Sequence, residues 1–342
     1  MHETVSISIT IKGIMATQEK QKIKQNFKEK YLYNLKTKVI PYIKNFETER
    51  QVRLSVSVCI AIIIGVIIVA FLSSVIFAYN YGSDSEFIQN TKPLLKFFSK
   101  KFSIVILAVA FYCWKKIQQD FEYKIKNKIM PTLISAFEGF KWYEIAPDDY
   151  YQDVIDSDIF PYKENEKIIH AYSDYFVGYY DNVKLEFSQA MYTFKGYDFT
   201  GGLIRINMNK SFSGETVLRP KGVSCKDLEK LGLGKVVLED TGFSKKFNIY
   251  STDQVEARYL LTPAFMEKLK NISIQYMTDD KIYCSFCKGK IYIAPQSKHG
   301  MFSMFGLTKR ADDVKNFHIL YAQVNSAIEL VEHLKLNQKT GL

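Results

Sequence analysis

The chain has 342 residues, room for about two domains, and a net charge of +10. The charge is one-sided: residues 1–141 hold 21 Lys+Arg against 10 Asp+Glu, while residues 142–342 hold 25 against 26. A nucleic-acid-binding domain carries its basic excess on the folded domain, so no nucleic-acid partner is expected, and the odd count of five cysteines suits a reducing compartment better than a disulfide framework.

Residues 1–14, MHETVSISITIKGI, lack the basic and apolar regions of a signal peptide. They read as a short strand-like stretch, with Met15 as an alternative start. From 18 to 46 the pattern is a charged amphipathic helix. Ile23, Phe27, Tyr31, Leu35, Val39 and Ile43 recur every four residues, and Lys20, Lys22, Lys24, Lys28 and Lys30 cover the rest. Pro41 is expected to kink or break it. Leu54–Tyr79 is then uncharged throughout. About 20 apolar residues cross a hydrocarbon core of about 30 Å. Arg50 and Arg53 bound the run on one side, and Tyr79 and Tyr81 mark the other interface.

A connection through Gly82, Ser83, Asp84 and Ser85 leads to Phe102–Trp114, uncharged for only 13 residues. With Lys96, Lys100 and Lys101 snorkelling to the interface, a second span fits about 97–114; a re-entrant or interfacial helix is the alternative. After Trp114, the residues Ile117, Phe121, Ile125, Ile129, Leu133 and Phe137 repeat the four-residue spacing. A hairpin puts this helix and the N-terminal one on the same side, where pairing their stripes makes a stalk. Two independent interfacial helices are the other possibility. Tyr33, Lys36, Lys38 and Pro41 match Tyr123, Lys126, Lys128 and Pro131 at an offset of 90 residues. One set precedes a span and the other follows one, so coincidence explains this better than duplication. Lys36, Lys38, Lys44, Arg50 and Arg53 precede the first span, and Lys115, Lys116, Lys124, Lys126 and Lys128 follow the second. The connection holds Lys92, Lys96, Lys100 and Lys101. That is a weak positive-inside bias, and with the free thiols it places both the N-terminus and the C-terminal domain in the cytoplasm.

Beyond Lys141 period-2 patterns appear. Val183, Leu185 and Phe187 alternate with charges after an Asp181-Asn182 turn signal; Ile204, Ile206 and Met208 alternate after Gly201-Gly202. Strands also fit Val236–Leu238, Phe247–Tyr250, Ile282–Phe286 and Ile291–Ala294. Asp253-Gln254-Val255-Glu256 reads as a capping box, and Thr262-Pro263 starts another helix with Pro at its first position. A last helix begins near Asp312-Asp313 with Val314, Phe317, Leu320, Tyr321, Val324, Ile328 and Val331 on one face. The expected fold is α+β: an N-terminal segment (1–53) with its amphipathic helix, a two-helix transmembrane hairpin (54–114), a juxtamembrane helix (115–141), and a soluble domain (142–342) with a mostly antiparallel sheet and packed helices.

No motif carries chemistry. Cys284 and Cys287 form a CxxC without the second ligand pair that zinc needs. Strand flanks would turn the two thiols to opposite faces, away from a redox geometry. Gly232-Leu233-Gly234-Lys235 lacks phosphate-loop spacing. Asp148, Asp149, Asp153, Asp156 and Asp158 lack the glycine and closing Glu of a calcium loop and read as a solvated linker. His2, His170, His299, His318 and His333 are scattered. No catalytic, cofactor-binding or metal residue is therefore assigned.

The run from Glu239 to Leu269, with Asp253–Pro263 reading DQVEARYLLTP, resembles the signature of the bacterial domain-of-unknown-function family 3137. Phe194-Lys195-Gly196 through Phe212-Ser213-Gly214 is similar to its other recurring region. The resemblance implies a two-span anchor in the inner membrane with a soluble C-terminal domain, and a partner among LemA-type membrane proteins. It implies no activity and no catalytic residue. The expected function is a non-catalytic interaction or regulatory module at the lipid bilayer. The alternatives are a tethered ligand- or lipid-handling domain and, third, an uncharacterised enzyme.

Overall fold

The computed structural model describes residues 2–81, 86–162, 167–194, 196–208, 214–278, 281–297 and 305–334. They fall into two compact units. The sheet unit draws on Met1–Val39, Met130–Ser303 and Val314–Leu342, and the helix-pair unit on Ile40–Ile129 and Met304–Asp313. These combine stretches of chain that the sequence reading kept apart.

Three long helices come first. α1 is His2–Asn34; a π turn follows over Leu35–Val39; α2 is Ile40–Tyr81 and α3 is Glu86–Ile134. The stretch before Met15 is thus helical rather than strand-like, because propagating an existing helix adds a hydrogen bond for each residue ordered. Pro41 does not end the helix either. The wider π turn just before it absorbs the mismatch that the missing N–H and the ring create, and within that turn the Thr37 hydroxyl donates to Tyr33 O (2.7 Å).

In the helix-pair unit α2 and α3 run antiparallel: Arg53 pairs with Asp120 at 2.7 Å and Glu49 with Lys124 at 2.9 Å. Ile43, Phe121, Ile125 and Ile129 of the expected stripes are buried. Further along, Val56, Ile60, Ile63, Ile67 and Leu72 are exposed. The helical run Gln18–Ser73 is long and apolar enough to cross a membrane, and 6% of its apolar window is buried, unlike a soluble core helix. Among the described residues it is the single run that qualifies. α3 also exposes Ile104, Val105, Leu107, Val109 and Phe111, but a confirmed hairpin of two spans is not what length and composition establish. Gly82–Ser85 and the side chains of Tyr79, Tyr81, Lys96, Lys100 and Lys101 lie outside the described residues.

The sheet unit is built on one antiparallel sheet, nine-stranded among the described residues. Its strands are β1 (Lys141–Tyr143), β2 (Ile169–Tyr180), β3 (Val183–Phe194), β4 (Tyr197–Asn207), β5 (Thr216–Pro220), β6 (Gly234–Lys235), β7 (Phe247–Ser251), β8 (Ile282–Cys287) and β9 (Lys290–Pro295). Their spatial order is β1-β2-β3-β4-β9-β8-β5-β7-β6. The turns are as the residues demand: Asp181 and Asn182 both adopt positive φ (52° and 63°), as do Lys288 and Gly289 (49° and 72°), matching the right-handed twist of the hairpins they close. Gly201 does not precede β4, as expected, but lies inside it. A Cβ there would stand 2.1 Å from Pro295 O, so only glycine lets the two backbones meet. The strand expected at Val236–Leu238 is displaced to Gly234–Lys235, with Val236 N still bonding Ile249 O at 2.9 Å.

Both faces of the sheet are buried. One carries α4 (Asp149–Ile155) over Tyr150, Phe160, Tyr175, Tyr192, Phe199, Tyr283 and Tyr292. The other carries α8 (Pro263–Tyr276) and α9 (Val314–His333), with Phe265 against Phe286 at 5.4 Å between ring centroids. The stalk stripes contribute here too. Phe27 and Tyr31 pack on Phe137 (5.7 and 6.0 Å), Tyr31 Oη donates to Phe317 O at 2.7 Å, and Phe140 lies on Phe187 (6.3 Å).

The acidic stretch is a solvated linker only at Asp148 and Asp149, which are exposed. Asp153 pairs with Arg205 and Lys290 at 2.5 Å each, and Asp156 with Lys288 at 3.1 Å. Asp158, Ile159 and Phe160 turn their carbonyls to the buried guanidinium of Arg219 (2.7, 3.3 and 3.0 Å), which also clamps both Asp227 oxygens at 2.7 and 2.6 Å. Truncating one partner of a buried ion pair costs about 3–5 kcal/mol. Arg219→Ala should therefore lower the urea midpoint of the sheet unit sharply; an unchanged midpoint would show that these bonds are replaced by water at no cost.

Candidate binding groove

The helices α6 (Thr241–Lys246) and α8 border an open groove of about 360 Å³. Each starts at a side-chain cap. The Asp240 carboxylate accepts Phe243 N at 2.8 Å, and the Thr262 hydroxyl accepts Phe265 N at 3.2 Å, with Pro263 in the first turn. α6 runs directly into β7, which stacks Phe243 near Phe247 with centroids 4.5 Å apart. The floor is apolar: Phe247, Met266, Leu269 and Ile282 are buried. The rim is charged, with Lys246, Glu267 and Lys270 exposed beside Asp240. Farther along α8 Ile274 stays exposed, as does Met277 just past its end. Such a site can seat an apolar side chain of a partner between charges of both signs. Nine of the twelve lining residues fall between Glu239 and Leu269, the run that carried the family resemblance. Sequence reading did not single them out as a site. The usable signal was Phe243 and Phe247, four apart, between a capping Asp and the Thr-Pro helix start.

The motifs weighed from the sequence lie elsewhere and do not converge. Cys284 and Cys287 sit in β8, both buried. Burial pushes the Cys284 thiol up, and burial with the Glu215 carboxylate pushes Cys287 up to about 12, so neither supplies a thiolate. Gly232 is in a turn and Gly234-Lys235 is the edge strand β6. His170 stacks on Tyr151 at 3.7 Å; His299 lies outside the described residues, as do Phe212 and Ser213. Among the described residues no group of three His, Cys, Asp or Glu has metal-site geometry. The expected capping box is half formed. Asp253 caps α7 (Gln254–Leu260), accepting Val255 N and Glu256 N (2.8 and 3.0 Å), but the Glu256 carboxylate accepts Gly214 N at 2.7 Å.

An ionisable cluster surrounds Arg205 in the core. Its guanidinium holds Glu186 by two bonds of 2.6 Å and lies over the Tyr150 ring at 4.4 Å, while Tyr175 donates to Glu186 at 2.5 Å. Burial pushes the Glu186 carboxyl up, but the bonds from Arg205 outweigh it and hold it below its usual range. Every charge is partnered inside the core, which is the pattern of a structural network.

Residues 197–336 match the family model described as Protein of unknown function (DUF3137). The likeness seen in Asp253–Pro263 is thus shown over that stretch, which holds the groove and the sheet from β4 onward; residues 1–196 and 337–342 lie outside the match. No curated protein and no solved structure matches the chain.

Glu215 is the carboxyl whose titration is displaced furthest upward among the described residues: burial, then the Asp158 carboxylate, push it up to about 7. The folded chain therefore holds a proton that the unfolded chain gives up near its ordinary value of 4.5. Its contribution favours folding below that value and is lost as pH rises through about 7. Glu215→Gln should flatten the pH–stability curve between pH 4.5 and about 7, by on the order of 1 kcal/mol once solvent screening of this half-buried group is counted. Urea midpoints that fall equally in both proteins over that interval would show another group is responsible.

Proposed function

We propose that this protein is a non-catalytic binding module held at the bacterial inner membrane. Its two apolar segments cross the bilayer as a hairpin, and its groove takes an apolar side chain of a partner polypeptide on the cytoplasmic side. The observation that carries the reading is the groove itself: an apolar floor and a charged rim of both signs, built from the family-matched segment. The anchor is supported by the uncharged exposed surface of α2, by the exposed apolar run of α3 from Ile104 to Phe111, and by the antiparallel ion pairs at one end of both helices. A LemA-type membrane protein is the partner class that the family resemblance suggests. Basic residues near the spans attract anionic head groups less than their number implies. Arg50, Arg53 and Lys124 are already paired with Glu47, Glu49 and Asp120, and an exposed pair presents little net charge beyond a Debye length of about 8 Å.

A photo-crosslinking residue at exposed Glu267, in the full chain in native membranes, should capture a polypeptide. Met266→Glu in the floor should reduce the adduct at least fivefold, and the same crosslinker at exposed Lys288 should give none. Equal capture at the two positions, or capture indifferent to Met266→Glu, would remove the groove as the binding site. Orientation needs an introduced thiol, since Cys225 is buried. Lys288→Cys should resist an impermeant thiol reagent in intact spheroplasts and react after lysis; labelling before lysis would put the domain outside.

A further inference from the structure

Phe305–Asp313 belongs to the helix-pair unit although the chain passes from it directly into α9. Two of its backbone groups bond one ion pair of α2. Glu47 and Arg50, a helical turn apart, make a two-bond pair, Nε to Oε2 at 2.8 Å and Nη2 to Oε1 at 2.7 Å. Arg50 Nη1 also donates to Leu307 O at 2.6 Å, and Ala311 N donates to Glu47 Oε2 at 3.0 Å. Gln51 Nε2 steadies the carboxylate from Oε1 at 3.1 Å. Phe305, Leu307 and Ala311 are buried, while Thr308, Lys309 and Arg310 are exposed. α3 closes the other side at Gly306, where a Cβ would stand 3.7 Å from Gln118 Nε2.

The arrangement is mutually dependent. Glu47 and Arg50 are 9% and 7% exposed, and a desolvated pair needs further hydrogen bonds to be tolerated; the segment supplies them from its backbone. Conversely, the Leu307 carbonyl and the Ala311 N–H are backbone groups removed from water, and each is satisfied by a member of that pair. Arg50 holds the Glu47 carboxyl down at about 2, so the pair stays charged across the physiological range. Both backbone bonds are therefore made or lost together.

We infer that Phe305–Ala311 is a detachable strap, locked across α2 and α3 by the Glu47–Arg50 pair, which couples the packing of those helices to the backbone entering α9. The inference does not depend on the binding groove. When the helices are packed, the strap is closed and the first turn of α9 is tethered. When α2 shifts against α3, the pair loses its alignment with Leu307 and Ala311 and the strap releases as a unit.

The test uses the full chain in detergent or native membranes. Trypsin cuts after Lys309 and Arg310 only when several residues of the strap leave the surface, so the cleavage rate there reads the open state. Arg50→Ala should raise that rate at least tenfold. Arg50→Lys keeps the charge but loses the forked geometry and should fall between. Cleavage after Lys288, in the tight β8–β9 turn, should not change. Hydrogen exchange should quicken in the strap and in Val314–Phe317 and stay constant in β3. If Arg50→Ala loosens the whole chain, Lys288 cleavage rises as well and the milder Glu47→Gln decides, with a severalfold rise confined to the strap expected. Strap cleavage at the wild-type rate in Glu47→Gln and Arg50→Lys, or quickened strap exchange that stops short of Val314, would overturn the proposal.

Discussion

An antiparallel sheet buried on both faces must find cover for each of them, and most of the sheet unit follows from that requirement. Antiparallel sheets often leave one face to solvent. Here β2 to β4, β8 and β9 bury side chains on both sides, most of them apolar or aromatic, with Glu186, Ser188, Arg205 and Ser285 among them. The α4 face is covered by a tyrosine- and phenylalanine-rich layer, with Phe160 at 4.7 Å from Phe199 and 4.9 Å from Tyr192 between centroids. On the opposite face α8 and α9 are joined by Phe140, which lies on Phe187, and by Tyr31, which bonds Phe317 O, with Phe27 and Phe137 buried beside them. The earliest helix of the chain is thus part of a core whose strands come more than a hundred residues later.

A layer that aromatic carries hydroxyls into the interior, and each needs a partner. Tyr172 meets Tyr192, Tyr197 meets Tyr283, and Tyr175 meets Glu186. Arg205 and Arg219 do the same work for charge: one joins β3, β4 and α4, the other ties the loop after α4 to β5 and α5 (Lys226–Lys230). These networks resemble active sites in composition, but their groups face each other and not an open space. The groove between α6 and α8 differs in kind, because its apolar floor is reachable and its charges stand at the edge.

The helix-pair unit solves a different problem. Its apolar surface faces outward along α2, and its polar groups gather at the end where Glu47, Glu49, Arg50, Arg53, Asp120 and Lys124 pair. Ion pairing at that end lets the helices carry many charges next to an uncharged stretch without a large net field. It also provides the Glu47–Arg50 pair, which bonds the backbone at Leu307 and Ala311.

Sequence alone determined the features that rest on local spacing. The uncharged run of Leu54–Tyr79, the four-residue stripes through Phe27 and Phe121, the alternation in β3 and β4, the Asp181-Asn182 turn and the caps at Asp253 and Thr262 depend on neighbours within a few residues, and periodicity exposes them. The groove was legible only as a family-like stretch, since its floor joins β7, α8 and β8. Tertiary structure decided the rest. β2 has aromatics on both faces and a register shift between Ser173 and Phe176, so no alternation marks it. Pro41 was passed by a π turn, and Gly201 answers to a carbonyl 94 residues away in Pro295. Asp153 and Asp158 looked like solvated charges because Arg205, Lys290 and Arg219, which draw them or their backbone inward, lie far along the chain. A side chain's destination depends on what the fold brings to it, and that partner is not written next to it.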